Sequence, residues 1–379
     1  MLRESTIRRE VFLMRMVQNR VVGAVLRRAS GAEQIMRDGM GFWASRAVLI
    51  AVEHGLFTEL ATGPATANEL MVRLGWHPRG AGALLDCLVA LGLLKRDRNG
   101  RYANRLRANL FLDRNKPSYI GGLLELSSKR LYDLWSGLGD LLRTGNPAAE
   151  EETGDNEYFA TLYQDPEALS QFLSGMTGIS STEATLIAAR FPWKRFRTFA
   201  DIGGAQGALL TRVALIHSHL TGINYDLPAV EPIFKEYVAR FGLDDRLSFV
   251  AGDMHEAALP QADVISFGHL LHGQSESTRR RLISKAYHAL PPGGSLLVYD
   301  AMVNNQNRRY EFMSQLSSLN IMLESREGFE ASTQDCARWL RDAGFRDVTI
   351  AHLLGPTSMA YGFKPGGDGV DTPEGLRAS

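Results

Sequence analysis

Very little in this chain points outward. Forty-two basic residues cancel forty-two acidic ones, so no global field invites nucleic acid or an acidic partner. Only two cysteines, Cys87 and Cys336, occur among 379 residues. Both are expected to be free, buried thiols, and a disulfide framework or thiolate metal site lacks support. No apolar run approaches the roughly 18–20 residues of a membrane span, and the opening residues lack the small-residue cleavage site of a signal peptide. A cytoplasmic setting with no integral membrane segment is expected.

One local imbalance interrupts this neutrality. Residues 1–30 carry Arg3, Arg8, Arg9, Arg15, Arg20, Arg27 and Arg28 against Glu4 and Glu10. Val11, Leu13, Met14, Val17, Val21, Val22, Val25 and Leu26 fall between them at near-helical spacing. Such a basic amphipathic helix can lie on an anionic membrane; packing against a partner subunit is the preferred expectation.

Two regimes follow. Residues 31–193 read as nearly all helical, with apolar positions three and four apart. Within them Thr66 and Glu69 form a capping pair before an apolar run, a second helix is expected over Arg79–Leu94, and Lys95–Tyr102 reads as a hairpin with Asn99-Gly100 at its tip. Helix, turn, helix and hairpin make a winged-helix arrangement. A DNA reader needs Arg, Lys, Asn or Gln facing base edges. The Arg79–Leu94 segment is instead dominated by Ala, Leu, Val and Gly, which points to dimerisation and away from nucleic acid. From residue 194 to 364 strands alternate with helices, the signature of a doubly wound α/β domain with a mostly parallel sheet. Strands are expected at Thr198–Ala200, Gly222–Tyr225, Leu247–Ala251, Val264–Phe267, Ser295–Tyr299 and Val348–His352. Helices are expected over Lys235–Phe241, Ser275–Leu290 and Thr333–Ala343. Asn146–Asp155 is the internal linker candidate, and the Gly-, Asp- and Pro-rich tail at 365–379 is expected to be disordered.

The richest motif is Asp201-Ile-Gly-Gly-Ala-Gln-Gly207, where an apolar strand breaks into a glycine turn and restarts as a helix. Glycines let the backbone approach a ligand where a Cβ would collide. A dinucleotide site asks for Gly-x-Gly-x-x-Gly with an acid some twenty residues on; here an acid precedes the glycines. Asp226, ending the second strand, is placed to accept hydrogen bonds from two ribose hydroxyls. Gly252-Asp-Met254, after the third, offers a carboxylate to an adenine amino group and a thioether to its ring. Each acid alone is more often a loop or capping residue, but three at successive strand ends are harder to dismiss.

With these segments stand Tyr225-Asp-Leu-Pro228, Phe267-Gly-His-Leu-Leu-His272, Leu290-Pro-Pro-Gly-Gly294, Tyr299-Asp-Ala301 and Ala343-Gly-Phe345. From about Gly41 to about Lys364 the chain resembles the bacterial and plant small-molecule O-methyltransferases, the acetylserotonin/caffeate-type family that uses S-adenosylmethionine. The resemblance implies a winged-helix-containing dimerisation region, a homodimer, and a Rossmann-like class I methyltransferase domain. It implies cofactor contacts at Asp201, Gly203, Gly204, Gly207, Asp226, Leu227, Gly252, Asp253, Met254 and Phe267. It places the catalytic base on His272, flanked by Asp300 and Glu330, with no metal in the primary reading. Acceptor-pocket candidates are Phe172, Met176, Met313 and Met322, although such side chains at helical spacing are more often plain core.

The implied reaction transfers a methyl group from a sulfonium to the hydroxyl of a small-molecule acceptor, a phenolic specialised metabolite. A phenol with a pKa of about 10 is mostly protonated at neutral pH, so a histidine base suits it. His269 is expected to support packing or the loop. The chain departs from the family where Ala205 replaces the loop's middle glycine and where Gly273-Gln274 replace the usual Asp-Trp after the base. These departures keep alternatives open: C-methylation, a cofactor-retaining non-methylating activity, or a divalent metal held by His272, Asp300 and Glu330 that polarises a 2-oxo acid.

Overall fold

The computed structural model describes residues 31–116, 118–148, 161–303 and 308–366. The basic helix expected at 1–30, most of the linker at 146–155 and the tail beyond residue 366 lie outside the described residues. By internal contacts the chain separates into two compact units, divided between Asn109 and Leu110.

In the first unit, α1 (Gly41–Glu53) and α2 (Leu56–Ala61) precede a short strand β1 (Ala65–Thr66), α3 (Ala67–Leu74) and α4 (Pro78–Ala90). Thr66 and Glu69 cap α3 reciprocally, as their spacing predicts. Pro78, preset for the first helical turn, starts α4 one residue ahead of the expected Arg79. Helix α4 buries Ala81, Leu85 and Leu88. Then β2 (Leu94–Arg96) and β3 (Arg101–Asn104) pair antiparallel and β1 joins β3. At the hairpin tip Gly100 has φ +75° and the Asp97 carboxylate accepts from the N–H groups of Asn99 and Arg101, both at 2.9 Å. The winged-helix pattern is therefore present. Cys87 corrects the expectation of two buried thiols: it lies on the outer face of α4 and is exposed, whereas Cys336 is buried.

The second unit contains α5 (Gly121–Leu126), the long α6 (Pro166–Arg190) and a seven-stranded sheet. Its strands are β4 (Thr198–Ile202), β5 (Thr221–Asp226), β6 (Leu247–Ala251), β7 (Val264–Gly268), β8 (Ser295–Ala301), β9 (Arg346–Leu354) and β10 (Thr357–Phe363), in the spatial order β6-β5-β4-β7-β8-β10-β9. The first five are parallel, and β10 runs antiparallel to both β8 and β9. Helices α7 (Ala208–Ile216), α8 (Glu231–Ala239), α9 (Glu276–Ala289), α10 (Arg308–Glu324) and α11 (Thr333–Asp342) are interspersed with the strands. The expected division at residue 193 thus differs from the compact one, because α6 packs along α7 and against α5, inside the sheet unit.

Period-two alternation divides the core between the two faces of the sheet. Phe199, Val264, Leu297 and Tyr299 join Ala184, Ile187 and Ala188 of α6 on one face. Ala200, Ile202, Ile265, Leu296 and Val298 join Leu282, Ile283, Trp339 and Leu340 of α9 and α11 on the other. Strand β10 is absent from the sequence reading because Thr357–Phe363 lacks a clean polar/apolar alternation. Its partners on both sides bury it, and Gly355 (φ +55°) with Pro356 turns β9 back into it. Chain order reverses direction between β4 and β7, which is where open α/β sheets bind ligands, beyond the carboxyl ends of the strands.

Candidate active site

The loop from β4 to α7 is shaped by backbone geometry. Gly203 (φ +68°) and Gly207 (φ +85°) occupy the left-handed region that glycine enters at no steric cost. A Cβ on Gly203 would come within 2.9 Å of Leu270, and one on Gly207 within 2.7 Å of the Phe234 ring. A Cβ on Gly204 would collide with Asn224 and sit 2.9 Å from an Asp201 oxygen. Ala205 also adopts a positive φ, +52°, where an L-residue is strained by roughly 1 kcal/mol. Two bonds offset the strain: its N–H donates to Asp226 Oδ2 at 2.9 Å, and its carbonyl accepts from Asn224 Nδ2 at 2.8 Å. The other Asp226 oxygen accepts from Leu227 N at 2.8 Å. Burial lifts the Asp226 carboxyl above its ordinary value, and these two N–H donors oppose the rise. Asn224, missed in the sequence, was signalled only as a polar residue inside a buried parallel strand.

Several expected cofactor contacts resolve differently. Gly203, Gly204, Leu227, Gly252, Asp253 and Met254 all retain accessible surface at the strand ends. Asp253 caps its own turn by accepting from His255 N at 2.7 Å. Lys285 of α9 holds the same turn by donating to the carbonyls of Met254 (2.5 Å) and Ala257 (2.7 Å). Phe267, by contrast, is wholly buried, because strand alternation turns it into the sheet core; it supports the site from beneath and offers a ligand no surface. Gly207 is buried against Phe234 and serves close packing. Asp201 is buried as well: it accepts from Ser266 Oγ at 2.5 Å, and burial pushes its carboxyl up to about 7.

A second cluster lies beyond β7 and β8. The sequence reading places Asp300 after its strand, but β8 extends to Ala301 and carries Asp300 within it. His272 sits in the short turn Leu271–Gly273. Its Nδ1 lies 2.7 Å from Asp300 Oδ1 and 3.6 Å from Glu330 Oε1, and its backbone N–H donates to Asp300 Oδ2 at 3.3 Å. Among the described residues no hydrogen bond engages Nε2. Glu330 accepts from Ser317 Oγ of α10 at 2.7 Å, while its Oε2 is buried with no hydrogen-bond partner among the described residues. The expected trio is therefore assembled.

Two further members complete this cluster: Glu183, which escaped the sequence reading, and His269, expected there only to support packing or the loop. His269, at φ +49°, places Nε2 2.6 Å from Glu183 Oε2 of α6 and Nδ1 3.5 Å from Asp300 Oδ1. Glu183, buried, also accepts from Thr357 Oγ1 at 2.5 Å. Asp300 is thus shared by two imidazoles whose ring centroids are 6.4 Å apart. A lone acid within the small and apolar stretch Gly178–Ala189 was the available signal for Glu183.

The charges settle accordingly. Burial alone would pull His269 down, but Glu183 and Asp300 outweigh it and raise it well above the ordinary imidazole value. Burial opposes His272 in the same way; Asp300 and Glu330 lift it, and the His269 charge tempers the rise. Burial works against the Asp300 anion, yet the two imidazoles hold its carboxyl below the usual range. Glu330 is pushed up to about 7 by burial and by the Asp300 charge.

The acceptor candidates are dispersed. Phe172 is half-buried against Leu169, Leu173 and Val230, and Met176 is half-buried one turn further along α6. Met313 and Met322 on α10 are 51% and 37% exposed, while Ser314, Ser317 and Ser318 form that helix's inward polar face.

A parallel sheet with an antiparallel β10, a glycine loop and acids at successive strand ends define a class I methyltransferase. Residues 135–346 match the O-methyltransferase domain and residues 39–114 match the O-methyltransferase dimerisation domain. The chain is 41% identical to the tetracenomycin polyketide synthesis 8-O-methyl transferase TcmO of Streptomyces glaucescens, over 88% of this chain and 97% of that protein. It is 37% identical to the N,N-dimethyltransferase OxyT of Streptomyces rimosus, over 86% and 94%. Human N-acetylserotonin methyltransferase, solved in complex with S-adenosylmethionine, superposes with a TM-score of 0.82 at 25% identity, over 88% of this chain and 98% of that one. The chain belongs to the O-methyltransferase family, and its methyl donor is S-adenosylmethionine. The strand-end cradle fits that group: Gly203 and Gly204 retain accessible surface beside the strand ends, and Asp226 keeps further lone pairs on each oxygen.

Proposed function

We propose that this chain methylates a phenolic hydroxyl of a small specialised metabolite, with His272 as general base, and that it works as a homodimer through its first unit. The observation that carries this reading is the held imidazole. His272 donates from Nδ1 to Asp300 at 2.7 Å, which leaves Nε2 as the acceptor of a proton. Bound S-adenosylmethionine supplies an electrophilic methyl group on a sulfonium. Gly203, Gly204, Leu227 and Met254 would line the donor, with Asp226 on its ribose hydroxyls and Asp253 on its adenine. His272 Nε2 would take the proton of the acceptor hydroxyl and so leave its oxygen the nucleophile that the electrophilic methyl group requires. Asp300 and Glu330 stabilise the imidazolium so formed. Phe172, Met176, Met313 and Met322 are assigned to the acceptor side, and the polar face of α10 seats Glu330.

The TcmO relative, whose name specifies an O-methyl transfer in polyketide synthesis, supports a hydroxyl acceptor. The OxyT relative favours a second reading, an amine acceptor, which also needs a base to remove a proton. A screen of phenols and arylamines with S-adenosylmethionine, read as a mass gain of one methyl group, separates them. Turnover confined to amines would overturn the hydroxyl assignment.

A further inference from the structure

Arg279, in the first turns of α9, has only 1% of its surface exposed. Its Nε donates to the Gln274 carbonyl at 2.8 Å, and its Nη2 donates to the carbonyls of His272 (2.9 Å) and Phe329 (2.6 Å). The guanidinium also lies 3.9 Å over the Phe329 ring. One of these carbonyls is that of the base, the second belongs to Gln274, which closes its turn, and the third immediately precedes Glu330. With His272, Asp300, Glu330 and Trp339, Arg279 lines a cavity of about 10 Å³, room for roughly one water.

Besides the 3.3 Å bond from the His272 N–H to Asp300 Oδ2, the turn has few other ties. Gly273 follows His272 directly, and a Cβ there would meet nothing within 4 Å, so packing does not restrain the most permissive residue type at that point. Outside Arg279, its backbone is held to the Glu330 loop by Phe329 N donating to His272 O at 2.9 Å and by a long 3.5 Å bond from Ser325 Oγ to Gly273 O. A planar guanidinium can satisfy three carbonyls from one rigid fork where a lysine ammonium cannot keep the same geometry.

We propose that Arg279 is a positioning residue of the active site: its guanidinium ties the turn bearing His272 to the loop bearing Glu330 and so fixes the base against its two carboxylates. The proposal rests on His272 being the base. Arg279 touches no reacting atom; it acts through the backbone of the residue that does. A displacement of about 1 Å at such a site can cost on the order of 100-fold in rate.

The test uses the full chain with S-adenosylhomocysteine bound and follows the ¹⁵N resonances of the His272 ring. In Arg279→Ala these are expected to broaden or split, and to sharpen again when tens of millimolar guanidinium chloride is added, with sodium chloride as the control. With an acceptor from the mass-shift screen, kcat is expected to fall about 100-fold while donor affinity changes by less than about twofold, and guanidinium restores part of the rate. Arg279→Lys is expected to lie between, and it answers by the same two readouts if the alanine variant does not fold. An unchanged His272 resonance overturns the proposal, whether or not kcat falls, because the loss would not then pass through the position of the base. Full turnover by His272→Ala would remove the base reading instead, leaving the ring spectra to judge the tie.

Discussion

The loop between β4 and α7 and the cluster around His272 stand at adjacent strand ends, yet they are built in opposite ways. The loop is a backbone device: Gly203, Gly204, Ala205 and Gly207 lie within five consecutive residues, and the positive φ angles of Gly203, Ala205 and Gly207 together with the missing Cβ atoms of the three glycines set the shape. The cluster is a side-chain device. Glu183 arrives from α6, His269 and His272 from beyond β7, Asp300 from β8, Glu330 from a loop before α11, and Arg279 from α9. Loop geometry tolerates exchange of side chains that keep the backbone path, whereas a shared carboxylate responds to every neighbour that changes charge.

Four measurements sharpen this contrast. His272→Ala is expected to lower turnover by about 10²- to 10⁴-fold while titration calorimetry with S-adenosylhomocysteine finds donor binding intact; equal losses in both would dissolve the division between the regions. Asp226→Ala should do the reverse, weakening donor binding by roughly 10- to 100-fold, with kcat at saturating donor largely kept.

The third measurement is a pair of pH profiles. His272 is lifted above the ordinary imidazole value and must be neutral to act as base, so activity is lost as pH falls through that raised value. Removing the His269 cation in His269→Gln takes away a charge that tempers the rise. The acidic limb should move up, so that rate is lost at a higher pH than in the parent protein. Glu330→Gln removes an anion that favours the imidazolium, so its limb should move down. Limbs that stay fixed, or that move together, would show that the cluster does not share its charge. The smallest effect is expected at the loop. Ala205→Gly relieves the strained φ of +52° and should stabilise the protein by about 1 kcal/mol, seen as a melting temperature raised by roughly 2 °C; an unchanged or lower value would mean that the two bonds to Ala205 depend on its restricted backbone.

Legibility followed the same division. Asp201-Ile-Gly-Gly-Ala-Gln-Gly207 and Asp226 could be read from the chain because their spacing is local and each residue type carries its own conformational reason. The trio His272, Asp300 and Glu330 was reached through resemblance. The burial of Phe267 and Asp201 could not be read from the chain, because being next to a motif does not tell which way a strand residue points. Cys87 was misread as buried for a similar reason, since apolar flanks on a helix do not say which face its partner covers. Strand β10 stayed hidden because central burial removes the alternation that announces a strand.

What the sequence determined by itself is the order of six of the sheet's seven strands, the glycine turn, the acids at strand ends and the winged-helix pattern ahead of them. All of these rest on interactions between residues near one another in the chain. Only the tertiary structure decided that Glu183 and Asp300 would meet across His269, that Arg279 would bridge the turn of His272 and the loop of Glu330, and that Phe267 would face inward. Hydrogen bonds and charges act over about 3 Å, and residues separated by tens of positions reach that distance only after the sheet has set its strand order.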